Sequence, residues 1–141
     1  MINPEKIDLA YIIDDDFTTI ELVRMNNDRF GFCERLVSFT DPVLANQTLN
    51  EAINKGIDVP QMILLDINMP VMDAWDFLDK MNDVLMGAGV SVFILSSSIN
   101  PEDMEKSKQY SSVLKYILKP LSLDKIGTIL GLIQKSGRMK Q

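Results

Sequence analysis

"MILLDINMP", residues 62–70, is the stretch on which the fold turns. Met62, Ile63, Leu64 and Leu65 follow one another with no polar alternation that would give one face to water. Such a run suits a strand buried on both sides, as in a parallel sheet layered by helices. It ends on the carboxylate of Asp66, with Asn68 and then Pro70 bending the chain away. A buried post that stops at a charge is a way of aiming that charge.

Short apolar runs alternate with helically spaced segments on either side. "KIDLAYII" (6–13) predicts a strand, "FTTIELVRMNNDRF" (17–30) a helix apolar at Ile20, Val23 and Phe30, and "RLVSF" (35–39) a second strand. "DPVLANQTLNEAINKG" (41–56) opens on Asp41 as N-cap with Pro42 at the first helical position, and closes on Gly56. After residue 70 a helix is expected from about Asp73 to "MGAG" (86–89), with Leu78, Met81 and Leu85 on one face. "VSVFILS" (90–96) is a strand, and Asn100 before Pro101 repeats the cap logic for a helix over "NPEDMEKSKQY". "VLKYIL" (113–118) is the last strand, and "LSLDKIGTILGLIQK" (121–135) the last helix, apolar at Leu123, Ile126, Leu130 and Ile133. Five strands alternating with five helices make an α/β protein, a doubly wound parallel sheet.

The 141 residues, 46% hydrophobic and 24% charged, are the size and balance of one globular domain. A single cysteine, Cys33, has no partner for an internal bridge and suits a reducing compartment. No stretch is apolar for the length of a membrane span, and the N-terminus lacks a signal-peptide pattern, so a soluble cytoplasmic protein is expected. Net charge of −6 without a basic cluster counts against a nucleic-acid surface. The C-terminal "QKSGRMKQ" reads as a frayed helix end. Histidine is absent, which excludes any His base, nucleophile or metal ligand within this chain.

Open parallel sheets bind ligands beyond the carboxyl ends of their strands, where the strand order reverses. Strand one ends in Asp14, Asp15 and Asp16, strand three in Asp66, strand four in Ser96, Ser97 and Ser98, and strand five in Lys119-Pro120. If strands one, three and four are neighbours, these groups share one rim. Three carboxylates together repel one another and stay ionised cheaply only around a cation. The donors are all oxygen, which suits a hard ion such as Mg²⁺ rather than Zn²⁺. A metal, a lysine and a hydroxyl donor suit the oxygens of a phosphoryl group, and a carboxylate beside them can become an aspartyl-phosphate.

With those residues in place, the chain resembles the receiver domains of two-component response regulators, of the stand-alone type similar to the chemotaxis regulator, from about Ile7 to Gln134. The family's acidic pair corresponds to Asp14 and Asp15 in "YIIDDDF", its phosphoacceptor to Asp66 in "LLDINMPVMD", its hydroxyl residue to Ser96 in "VFILSSS", and its lysine to Lys119 in "YILKP". The aromatic switch position falls on Tyr116. The resemblance implies a flavodoxin-like sheet of order 2-1-3-4-5 in a single domain over residues 1–141, without an output domain. It implies Mg²⁺, or Mn²⁺ in its place, on the side chains of Asp15 and Asp66 and the backbone carbonyl of Asn68, with Asp14 acting through a coordinated water. Lys119 would pair with the phosphoryl group. Ser96 would move to it while Tyr116 turns inward, and Lys119-Pro120 would be cis. The phosphodonor would be a histidine kinase or phosphotransfer protein, and output would pass to a partner protein through the face of helix four, strand five and helix five, from a monomer or a phosphorylation-dependent dimer. No separate substrate turnover is implied, only Mg²⁺-dependent self-phosphorylation from a phosphodonor and autodephosphorylation.

Two positions depart from the pattern. The glycine usual after Asp73 is Ala74; without glycine's freedom at positive φ, that loop would sit differently or carry modest strain. Serine at position 96 keeps the hydroxyl but lacks threonine's methyl, so its coupling to Tyr116 would be looser.

Taken singly, each motif has a plainer meaning. Asp16 is expected to cap the first helix, Met69 and Met72 to pack the loop, and Trp75 to sit on the surface or in a groove of helix three. The joint pattern at four strand ends favours phosphoacceptance. A dehalogenase-type hydrolase would need an acid at Asn68, and a flavin protein would want a phosphate loop where three carboxylates stand. A pseudo-receiver serving only as a docking module is the remaining alternative, against which the intact acid pair, Asp66, Ser96 and Lys119 argue.

Overall fold

β3 (Met62–Asp66) is buried at every residue and lies at the middle of the sheet. It is flanked by β1 (Ile7–Ile13) and β4 (Ser91–Ser96), with β2 (Cys33–Phe39) and β5 (Val113–Leu118) at the edges. This computed structural model describes residues 6–69 and 71–136. Among them, five parallel strands alternate with five helices, as the sequence pattern predicts, in the order β2-β1-β3-β4-β5 that the family resemblance implies. The turn at Pro70 and the basic C-terminal residues 137–141 lie outside the described residues.

The helices are α1 (Phe17–Phe30), α2 (Pro42–Lys55), α3 (Ala74–Ala88), α4 (Pro101–Ser107) and α5 (Leu123–Ser136). Their starts are written in short polar side chains, which satisfy backbone N–H groups that have no partner inside the helix. Asp16, Asp41 and Asn100 accept from the amides of Thr18, Val43 and Glu102 at 2.9–3.0 Å. Asp73 and Asp76 form a reciprocal capping box, each carboxylate accepting from the other's backbone N–H at 2.9 and 3.2 Å. Pro42 and Pro101 stand at the first helical position.

Alternate residues of the central strands feed two apolar layers. Leu9, Tyr11, Ile13, Ile63, Leu65, Val92 and Ile94 meet Leu49 of α2 and Phe77, Leu78, Met81 and Leu85 of α3. Ala10, Ile12, Met62, Leu64, Phe93 and Leu95 meet Ile20 and Val23 of α1 and Ile126, Ile129 and Ile133 of α5. Fully burying each large side chain contributes about 1.5–3 kcal/mol, so the central strands anchor both apolar layers.

The structure revises several local expectations. Phe30, the last residue of α1, is half exposed, and so is Leu123, the first of α5; helix ends project past the layer they cover. Ile129 takes the inward place. Trp75 is buried between α3 and the segment after α4, where its ring stacks on Tyr110 at 6.0 Å with the Lys106 ammonium 5.4 Å away. Ala74 carries none of the strain expected of it. It is the first helical residue of α3, fully buried, with its N–H donated to the Ile67 carbonyl at 3.2 Å. The positive φ of that loop falls instead on Val71, at 69°, with the side chain 94% exposed.

Within the described residues, no helix is long and apolar enough to cross a membrane.

Candidate functional site

The strand order reverses between β1 and β3, which opens a crevice at their carboxyl ends. Register decides what meets there. Ile13 pairs with Leu65, and Asp66 with Leu95, so the residues following β1 and β4 flank the end of β3. Ser96 pairs with Leu118, which brings Lys119 alongside. The two halves are stitched at this point by the Lys119 backbone N–H, which donates to the Ser96 carbonyl at 2.7 Å.

Asp14 is completely buried. Its Oδ1 accepts from the backbone N–H of Asp16 at 2.8 Å, and its Oδ2 lies 2.9 Å from Lys119 Nζ. The same ammonium is 3.2 Å from Asp66 Oδ1, and Asp66 is 6% exposed. Asp15 lies on the exposed side, and ligand oxygens of Asp14, Asp15 and Asp66 fall within 4.8 Å of one another. Three carboxylates against one ammonium leave two negative charges in a space the size of one ion.

Burial and crowding together set the acid–base behaviour. Burial, and then the neighbouring Asp14 carboxylate, push Asp66 up to about 6 from 3.8, despite Lys119. Asp14 is raised as well, chiefly by burial, with Lys119 and the Asp16 amide opposing. Burial by itself disfavours the Lys119 ammonium, but Asp14 and Asp66 outweigh it and hold the lysine charged above its ordinary range. A divalent cation among these oxygens would cancel the two surplus charges. The donor chemistry fits Mg²⁺ or Mn²⁺, since every ligand is a hard oxygen and neither imidazole nor thiolate is near.

The residues read from the sequence as the site's acid trio and lysine are thus gathered into one pocket. Asn68, two residues beyond Asp66, is exposed between buried Ile67 and Met69. Asp16 is held apart as the α1 cap, also accepting from Thr19 Oγ1 at 3.1 Å. Lys119-Pro120 is cis, and Met69 and Met72 are buried in the loop.

Ser96 Oγ donates to the Ser98 carbonyl at 2.9 Å and accepts from the Ser98 N–H at 3.2 Å. The hydroxyl of Tyr116 donates to the same Ser98 carbonyl at 3.0 Å. The two side chains named from the sequence as a switch therefore meet at one backbone atom. Residue types could not reveal this junction, because the acceptor belongs to the main chain.

The fold and pocket define a doubly wound α/β protein with an acidic, lysine-buttressed crevice at its switch point. No family model matches the chain, and no curated protein matches it. Solved structures do. A two-component response regulator from Cytophaga hutchinsonii is 30% identical, with 93% of this chain and 99% of that one covered, at a TM-score of 0.78. A chemotaxis protein from Vibrio cholerae is 20% identical over 92% and 98%, TM-score 0.67. The receiver domain of a histidine kinase from Arabidopsis thaliana, solved with Mg²⁺ and BeF₃⁻, is 14% identical over 94% and 91%, TM-score 0.72. The latter two share the fold; the first shares more. The chain belongs to the two-component response regulators, as a receiver domain of phosphorelay signalling.

Proposed function

We propose that Asp66 accepts a phosphoryl group from the phosphohistidine of a histidine kinase or phosphotransfer protein. The observation that carries this is the shared ammonium: Lys119 lies 2.9 Å from Asp14 and 3.2 Å from Asp66, beside an oxygen-only cation site with two surplus negative charges. A carboxylate oxygen of Asp66 attacks phosphorus, the P–O bond forms, and the bond to the donor nitrogen breaks, its electron pair returning to the donor. Asp15, Asp66 and the Asn68 carbonyl are the residues that would hold Mg²⁺, with Asp14 acting through a coordinated water. Bound there, the metal would offset charge on the transferring oxygens. Lys119 would supply a second positive charge, and its two carboxylate partners keep it protonated through the physiological range.

Ser96 would then turn its O–H from the Ser98 carbonyl to a phosphoryl oxygen. That leaves the Ser98 carbonyl to Tyr116 alone, which favours the bond the tyrosine already makes there and would alter the face of α4, β5 and α5 for a downstream protein. Hydrolysis of the aspartyl-phosphate by water restores Asp66, so the chain's own chemistry is confined to gaining and losing this group.

The test is intact-mass spectrometry after incubation with acetyl phosphate and Mg²⁺, beside Asp66→Asn. The wild type gains one phosphoryl group and the variant none. No gain in the wild type, or equal gain in the variant, would leave a docking module without phosphoacceptance.

A further inference from the structure

The lysine that buttresses the pocket is the first residue past the β5 strand, and its backbone is held from three directions. β4 holds the Lys119 N–H through the Ser96 carbonyl at 2.7 Å. From α5, Lys125 Nζ reaches back to donate to the Leu118 carbonyl and, at 3.1 Å, to the Pro120 carbonyl, the residues on either side of Lys119. From α1, Asn26 Nδ2 donates to the Leu121 carbonyl at 2.8 Å. These carbonyls lie between the end of a strand and the start of a helix, where regular backbone donors run out. Side chains from two different helices supply them.

Lys125 is out of place by local rules. It stands in the first turn of α5, where a cation opposes the helix dipole and a carboxylate such as the adjacent Asp124 belongs. A residue that breaks a local preference commonly answers to a non-local one. Here the ammonium is turned off the helix end and spent on the segment that carries Lys119.

We propose that Lys125 and Asn26 are positioning residues for phosphoryl transfer: they fix the Leu118–Leu121 backbone and through it the place of the Lys119 ammonium. Neither touches the acidic pocket itself; their effect passes through Lys119. The inference rests on the reading of Lys119 as the phosphoryl group's counter-charge, and deepens it.

Because Lys119 pairs with the phosphoryl group rather than with the metal, its displacement should separate two affinities. Lys125→Met keeps the length of the side chain and removes its donors. Calorimetry with Mg²⁺ alone, and with beryllofluoride at saturating Mg²⁺, reads the two independently. In Lys125→Met the beryllofluoride affinity falls roughly five- to tenfold, the size of one lost orienting contact. Mg²⁺ affinity stays within about twofold, since the carboxylates are untouched. Lys125→Arg, which still offers donors to both carbonyls, restores most of the loss. Asn26→Leu falls in the same direction and carries the test should Lys125→Met fail to fold.

Equal losses of both affinities, unchanged beryllofluoride affinity, or no rescue by arginine would overturn the inference. A wild type that takes no beryllofluoride would remove the reading of the site and the inference with it. Wild-type binding that Lys119→Ala abolishes and Lys125→Met leaves intact would remove the inference alone.

Discussion

Replacing the phosphoacceptor by its neutral isostere should make the metal-free protein more stable. Asp66 sits at about 6 where an unperturbed carboxyl sits at 3.8, raised by burial and by Asp14. A carboxyl raised on folding favours the native state while it is protonated. That contribution is complete below the unfolded value of about 3.9 and lost as pH rises through 6. At pH 8 the native state therefore carries an ionised Asp66 at a cost of about 2–3 kcal/mol, the distance from 3.8 to about 6 at roughly 1.4 kcal/mol per pH unit. The Lys119 attraction is already contained in that figure, and Asp14 remains to pair the lysine. Asp66→Asn removes the cost. Urea unfolding in the presence of a chelator at pH 8 should give a gain of about 2–3 kcal/mol, and a melting temperature higher by roughly 6–10 °C. The gain should shrink below pH 6 and vanish near pH 4. Mg²⁺ at about a hundred times its dissociation constant should return roughly 2.7 kcal/mol to the wild type and close the gap. No gain at pH 8, or the same gain at pH 4 and pH 8, would refute an origin in a buried carboxylate beside Asp14.

Lys119→Met leaves Asp14 buried without its counter-charge and should cost about 3–5 kcal/mol at neutral pH. Removing Lys119 raises both carboxyls further, so the deficit shrinks on acidification starting above pH 6, and denaturant titration at several pH values checks it. Val71→Gly relieves a β-branched residue held at φ 69° with no packing to lose, and calorimetry should find it more stable by about 1 kcal/mol. Tyr110, pushed up to about 12 by burial and by its hydrogen bond to Asp79, should ionise late in an ultraviolet absorbance titration, and Asp79→Asn should bring it down.

Much of this was legible because strand burial and helix capping are written locally. The unbroken run of Met62–Leu65 could belong only to a two-sided layer, and Asp16, Asp41, Asp73 and Asn100 each stand one residue before a helix. The acid trio was legible because strand ends in a parallel sheet share a rim, so position along the chain became position in space. What escaped depended on tertiary partners. Trp75 is buried because Tyr110, thirty-five residues away, offers a ring to stack on, and no periodicity within α3 reports that. At Ala74 the helical dihedrals accept a Cβ, and the left-handed turn lies three residues earlier, a placement that residue types alone do not report. Lys125 did leave a signal, a cation in a helix's first turn, but only its carbonyl partners give that oddity a meaning.

The shared oxygen of Ser98 has a consequence for how such a protein drifts over evolutionary time. A carbonyl belongs to every amino acid, so no side-chain replacement at position 98 deletes the meeting point of the two hydroxyls. A side-chain change cuts the linkage directly where it removes the hydroxyl at position 96 or 116. The exposed side chain at 98 is left at liberty to acquire other duties without touching the wiring beneath it.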